Sequence, residues 1–210
     1  MSPGDQARGT REVLLTAAAA VFARDGYVRA TVEDVCRRAG VTKGALYGHF
    51  DSKHALATAV LDRQATVWRR RRDHLLRVHA SPLQVLVDLG YSVRREPDGA
   101  HPTSSAHRML FQYPMCDELA EREVERWTGA VHGLLRAAAA RRELRDGVDQ
   151  RRCAEGMVTS LVGVHIASMA MDDFQDVSRR VAQLWRTWLP AVATPGACAA
   201  LRLEPPEVRW

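Results

Sequence analysis

The stretch Thr31 to Phe50, TVEDVCRRAGVTKGALYGHF, constrains this chain more than any other. It reads as two short helices joined by a tight turn. Thr31 followed three residues later by Asp34 is a Thr-x-x-acid start, in which side chains at both positions satisfy helix-initial amides. Val32, Val35, Cys36 and Ala39 then recur at helical spacing and make one face apolar. Gly40 stops this helix and Val41 enters the turn. Thr42 caps a second helix, expected over Lys43 to His49. That helix is too short and too polar to be explained by burial. Its inward side is Ala45 and Leu46, packed with Val41 and Phe50, and it leaves Lys43, Gly44, Tyr47 and His49 pointing outward. A cap, a cation, a glycine and a phenol on an exposed helix suit phosphate contact and close approach to a groove.

Charge is distributed accordingly. Of the 210 residues, 1–75 hold 13 Lys+Arg against 8 Asp+Glu, whereas 76–210 hold 17 of each. The whole excess of +5 therefore lies in the part that contains the two-helix stretch. That is the electrostatic footprint of a nucleic-acid-binding end joined to a neutral body.

The motif GVTKGALYGHF, followed by Asp51, Ser52 and Lys53, resembles the helix-turn-helix of the TetR family of bacterial repressors. The likeness extends back through VFARDGYVRATVEDV and covers about the first 60 residues. Gly48 departs from the family pattern, where an aromatic residue is usual, and weakens the last turn of the second helix. The resemblance implies DNA contact by Thr31, Thr42, Lys43, Gly44, Tyr47, His49 and Lys53. Of these, Lys43 is the best suited to a base edge, at guanine. Gly44 permits close approach, and Thr42, Lys43, Tyr47, His49 and Lys53 mainly fix the protein on phosphates.

Elsewhere the chain reads as helices separated by breaks. Residues 1–8 read as a loose arm, with Arg8 and Arg11 at its end able to reach a phosphate backbone. A first helix is expected over Thr10–Arg24, with Val13, Leu14, Ala17, Val21 and Phe22 on one face and Gly26 ending it. Leu14, Phe22, Val35, Leu46 and Phe50 form the core of a three-helix unit. A helix from Asp51 or Ser52 to Val78 follows, and the resemblance implies that it links two domains and swings when ligand binds. Its run Arg69–Arg72 points all round a helix and reads as a solvated face. Further helices are expected at Leu83–Arg95, Thr103–Gln112, Cys116–Arg142, Arg151–Met171 and Phe174–Val192, with a surface extension from Thr194. The domains read as 1–52 for DNA binding, 53–194 for ligand binding and dimerisation, and 195–210 as a tail. The fold class is all-α, and no strand pattern or internal repeat is present. The helices over 151–171 and 174–192 carry enough apolar surface to pair with a second copy as a four-helix bundle, making a homodimer.

Nothing in the sequence supports an enzyme. There is no GxSxG, P-loop or GxGxxG, and no histidine pair in the metalloprotease pattern. The four cysteines have no metal-ligand spacing, and His101, His107 and Cys116 are weak grounds for a metal. No metal or cofactor is implied. No apolar run approaches the roughly 20 residues of a membrane helix, and MSPGDQARGT lacks the apolar core of a signal peptide, so a cytoplasmic protein without membrane contact is expected.

ERWTGAVHGLLRAA, TSLVGVHIASMAMDD and LWRTWLPAV, with SAHRML before them, resemble the γ-butyrolactone receptor branch of the same family in streptomycetes. In that branch the tryptophan matching Trp127 covers the bound butyrolactone, and flat aromatic surface suits a small lactone with an aliphatic tail. Val158, Leu161, Val162 and His165, with Met169, fall on the helix expected to face the pocket. His165 also reads as a core polar group. The resemblance thus implies a ligand-responsive repressor that binds a pseudo-palindromic double-stranded operator. A γ-butyrolactone-type inducer would release it and so control antibiotic biosynthesis. The alternative is a pseudo-receptor or drug-sensing repressor of the same architecture, which His107, Gln112 and Tyr113 leave open. A constitutive DNA-binding protein with a filled core and no pocket is a further reading.

Overall fold

The computed structural model describes residues 3–79, 81–93, 117–172 and 174–206. Nine α-helices occur among them: α1 Pro3–Arg29, α2 Val32–Ala39, α3 Lys43–Tyr47, α4 Lys53–Val78, α5 Pro82–Gly90, α6 Asp117–Ala140, α7 Gln150–Asp172, α8 Val177–Val192 and α9 Pro195–Ala200. A 3-10 turn over Tyr91–Val93 extends α5. Among the described residues the β pairing is an isolated antiparallel bridge between Leu144 and Ala193. The helix expected over Thr103–Gln112, with His101, His107, Gln112, Tyr113 and Cys116, lies outside the described residues.

The chain divides into two compact units, residues 1–67 with 96–120 and residues 68–95 with 121–210. The first is organised by α1 to α3 and the start of α4. Leu14, Leu15, Ala18, Val21, Phe22, Val35, Leu46, Phe50, Leu56 and Leu61 are all buried in it. The expected core residues Leu14, Phe22, Val35, Leu46 and Phe50 are among them. Val13 is not: it is 48% exposed, because the buried stripe of α1 runs through 14, 18 and 21–22 and leaves position 13 beside it. α1 also starts earlier than expected, so that part of the segment read as a loose arm is helical. Gly26 interrupts α1 as expected. Its φ of 75° and ψ of 162° lie where a residue with a Cβ is strained, and Tyr27–Arg29 form one further turn beyond it. At the start of α4, Ser52 Oγ accepts the Ala55 amide at 3.0 Å. Farther along, the Arg63 guanidinium donates to Thr16 Oγ at 3.0 Å and ties α4 to α1.

The second unit is built around α5, whose residues Leu83 to Leu89 are all buried. Trp185 of α8 is fully buried against the end of α5. A Cβ on Gly90 would stand 2.9 Å from two atoms of that indole, so glycine is what lets α8 approach. Gly156 of α7 plays the same part for Trp188, whose Cη2 would lie 2.6 Å from an added Cβ. The Trp188 indole N–H donates to Ser160 Oγ at 3.2 Å, one turn along α7. Ala154, Met157, Val158, His165 and Ser168 form the buried side of α7. Ile166 and Met171, at 40% and 73% exposed, lie outside it.

Two readings are corrected here. The sequence suggested that no segment approaches membrane length, yet Gln150–Met171 is long and apolar enough to cross a membrane, with a mean hydropathy of 1.3 over its best window. Small and β-branched residues raise that mean, as they do in a packing helix of a helical core. Residues 194–206, expected as a surface extension, instead form α9 and then lie against α5. The Arg202 N–H donates to Gln84 Oε1 at 2.9 Å, and Gln84 Nε2 donates back to the Arg202 carbonyl at 3.0 Å. One side-chain amide thereby pairs with a backbone residue as a neighbouring strand would. The Tyr91 hydroxyl donates to the Leu203 carbonyl, and burial pushes that phenol up to about 12.

Asp88, fully buried on α5, collects the polar groups of this corner. It accepts from Gln84 Nε2 at 2.9 Å, and its carboxylate lies 2.8 Å from His79 Nε2 and 3.5 Å from Arg202. Burial pushes its carboxyl above the ordinary range, with Gln84, Arg202 and His79 opposing.

Gly90→Ala is expected to destabilise the protein by about 1–3 kcal/mol, because Trp185 has no free side to move into. Gly133→Ala, with nothing near its Cβ position, is expected to be neutral or to stabilise by up to about 1 kcal/mol. Urea unfolding of both variants against the parent measures the difference.

Candidate nucleic-acid interface and ligand site

The first unit presents α2 and α3 with their ends fixed by side chains. Thr31 Oγ accepts the Asp34 amide at 3.1 Å, and the Thr31 amide donates to Asp34 Oδ2 at 3.3 Å, which completes a capping box. The hydrogen bond from the Thr31 hydroxyl holds the Asp34 carboxyl below its ordinary range. At the other end Gly40 has a φ of 67°, the left-handed conformation that lets the Val41 amide return to the Cys36 carbonyl at 3.1 Å. Thr42 Oγ then accepts the Ala45 amide at 3.2 Å and starts α3. Two separate caps and one left-handed glycine therefore set the angle at which α3 leaves α2.

α3 is anchored from below. Leu46 is fully buried and Phe50, just past the helix, is 5% exposed. Lys43 and Tyr47 stand on the outer side, and Tyr47 is 49% exposed. At Gly44 an added Cβ would meet only Thr42 Oγ, at 3.9 Å, so this glycine leaves a low point on the surface beside Lys43. α3 ends at Tyr47, earlier than expected. Gly48 caps it with an ordinary φ of −68°, and half-buried His49 falls beyond the helix beside Phe50. Thr31, Thr42, Lys43, Gly44 and Tyr47 are thus brought to one exposed α2–α3 edge.

Lys53 has a different setting. Its ammonium donates to the Val28 carbonyl at 3.2 Å and lies 4.6 Å from the centre of the Tyr27 ring. It fastens the start of α4 to the last turn of α1. Arg11, read as reaching a phosphate backbone, lies with its guanidinium 5.2 Å from the centre of the Phe50 ring. The sequence reading passed over Glu33, which pairs with Lys43 across the α2–α3 junction. Its signal was an acid in the first turn of α2, a place where the helix dipole favours one.

In the second unit, Val158, Leu161, Val162 and His165 follow one another along α7. Val158 and His165 are buried, while Leu161 and Val162 are half-buried. Trp127 of α6 is half-buried, and it packs on the same apolar cluster as the three aliphatic residues. Two cavities in this unit lie elsewhere. One of about 390 Å³ is lined by His79, Ser81, Gln84, Glu143 and Arg202, among others, and one of about 450 Å³ by the turn after α6. Neither includes Trp127, Val158, Leu161, Val162 or His165. Among the described residues no three His, Cys, Asp or Glu side chains converge on a metal position.

Comparison with known proteins fits this geometry. The family model described as bacterial regulatory proteins, TetR family, matches residues 14–60, which run from the core of α1 into α4. The A-factor receptor protein of Streptomyces griseus is 33% identical over 198 residues. That match covers 91% of this chain, and the chain spans 66% of that protein's length. A full-length TylP structure, a TetR regulator from Streptomyces fradiae, is 31% identical with a TM-score of 0.78, covering 93% of this chain and 92% of that one. A γ-butyrolactone receptor described as ArpA-like is 27% identical with a TM-score of 0.69, covering 92% and 93%.

Thr42→Ala removes the side-chain acceptor at the start of a five-residue helix and is expected to cost about 1 kcal/mol, with Thr42→Ser close to the parent. Chemical denaturation followed by circular dichroism reads the difference.

Proposed function

We propose a function from one premise: this chain belongs to the TetR family of bacterial regulatory proteins. It is a ligand-responsive transcriptional repressor, and it carries no catalysis. The observation that carries the reading is the exposed edge of α2 and α3, where two caps and a left-handed glycine hold Lys43, Gly44 and Tyr47 outward. Two copies place their α3 helices in successive major grooves of a pseudo-palindromic operator, about 34–36 Å apart. Thr31, Thr42, Tyr47 and His49 fix the protein on the backbone, while Lys43 donates to a base edge. Lys53 positions the unit through Val28 and Tyr27 and adds positive charge near the phosphates.

The ligand site is the second unit, and the homodimer forms through α7 and α8, with Ile166 and Met171 of α7 exposed. A γ-butyrolactone-type signal fits best. The likeness to the A-factor receptor and to an ArpA-like γ-butyrolactone receptor supports that class. So does the joint packing of Trp127 with Val158, Leu161 and Val162. His165 is the polar group among them. The ligand releases the repressor because it binds one conformation better than the other. The protein acts in the cytoplasm, where its operator lies, and antibiotic biosynthesis is the regulated process.

A gel shift on DNA upstream of its own gene, with and without a synthetic γ-butyrolactone, tests this. The expected result is a shifted band that the lactone abolishes, with Trp127→Ala retaining the shift and losing the lactone response. A band that no lactone disturbs would reject the lactone class and leave a drug-sensing repressor. Lys43→Ala is expected to relax preference at one operator position by roughly tenfold, read by competition with single-base variants of the site. Equal weakening on every sequence would make Lys43 a phosphate contact.

A further inference from the structure

Glu33 and Lys43 form an ion pair between the first turn of α2 and the first residue of α3. Both side chains are about half exposed, at 51% and 55%. A pair this wet contributes little to folding, so stability does not account for it. Its position is more telling. The neighbouring acid, Asp34, is committed to the Thr31 cap and to Arg37 at 2.9 Å, which leaves Glu33 as the carboxylate facing Lys43. The hydrogen bond with Lys43, and after it one with its own backbone amide, hold the Glu33 carboxyl below its ordinary range, while the same pair holds the Lys43 amine above its own.

A lysine on a flexible four-carbon stem binds any phosphate within reach, and such contacts are blind to sequence. A lysine held by a carboxylate is constrained differently. The ammonium has three N–H donors, so one can serve Glu33 while the others remain for base-edge acceptors. Swinging to a phosphate breaks the pair and leaves the Glu33 charge alone in the field of the DNA backbone. Gly44, open beside Lys43, leaves room for a groove wall to approach the held ammonium.

We propose that Glu33 is a positioning residue for DNA recognition: it holds Lys43 for base contact and penalises sequence-independent contact with phosphate. The inference rests on the DNA-binding reading above. The test uses the full chain with a duplex that the parent protein selects from a randomised pool, beside a scrambled duplex of equal length. Glu33→Gln is expected to raise affinity for the scrambled duplex about threefold and to steepen the dependence of log K on log salt by about 0.9. The ratio of selected to scrambled affinity is expected to fall. In a Lys43→Gln background the same substitution is expected to leave that ratio unchanged, because there is no ammonium left to hold. Unchanged thermal midpoints for all three variants exclude a folding effect. An unaltered ratio on Glu33→Gln overturns the proposal. So does an equal fall in both backgrounds, which would make Glu33 a source of bulk repulsion only. If the parent selects no sequence from the pool, the DNA-binding reading itself fails, and this inference fails with it.

Discussion

A five-residue helix does not persist in water, since nucleation costs more than so few hydrogen bonds return. The outer surface of the first unit therefore depends on the burial of Leu46 and Phe50. They hold α3 down while Thr42 and Gly40 set where it begins. Lys43, Gly44 and Tyr47 are thus carried on a piece of chain with no stability of its own. This explains why its borders are so heavily specified. Lys53 and Arg11, cations within the same unit, are turned to the Tyr27 and Phe50 rings. In this unit some positive charge serves as mortar and some as probe, and sequence position alone does not separate them.

The second unit solves a different problem, the approach of long helices carrying tryptophans. Gly90 and Gly156 are gaps into which Trp185 and Trp188 fit, at distances that no Cβ would allow. The fit is directional: Trp188 has an indole hydrogen bond to Ser160, which fixes the rotation of α8 on α7. Helix packing specified by small residues and flat rings leaves little slack, so a shift of one helix has to be shared with its neighbours.

Much of this was legible because it is local. The Thr31–Asp34 box, the Gly40 stop, the Thr42 cap and the Gly26 break are each decided within four residues, and each is found where the chemistry of those residues puts it. Apolar spacing identified Leu14, Phe22, Val35, Leu46 and Phe50 as interior. It misjudged Val13, because a stripe drawn from spacing alone is a residue too wide. The distant pairings were illegible. Nothing near Gln84 announces that its amide will meet Arg202, 118 residues on. Without that partner Asp88 reads as a polar residue on an otherwise apolar helix. Glu33 was visible as a helix-initial acid, yet its reach to Lys43 depends on the angle set by Gly40. The ligand site was legible only through resemblance, since Trp127 and the α7 stripe follow the same spacing as any core.

The union of α5 with residues 202–203 has a consequence in time. A ribosome delivers the first unit and α5 long before it delivers Arg202. Until then Gln84 and Asp88 lack the partners that let them sit in an apolar interior. The first unit has what it needs to fold as it emerges, whereas the second has to keep its central helix loosely held until Arg202 has been made. A nascent chain stalled after residue 120 but before residue 202 would carry a complete first unit and an unfinished second one.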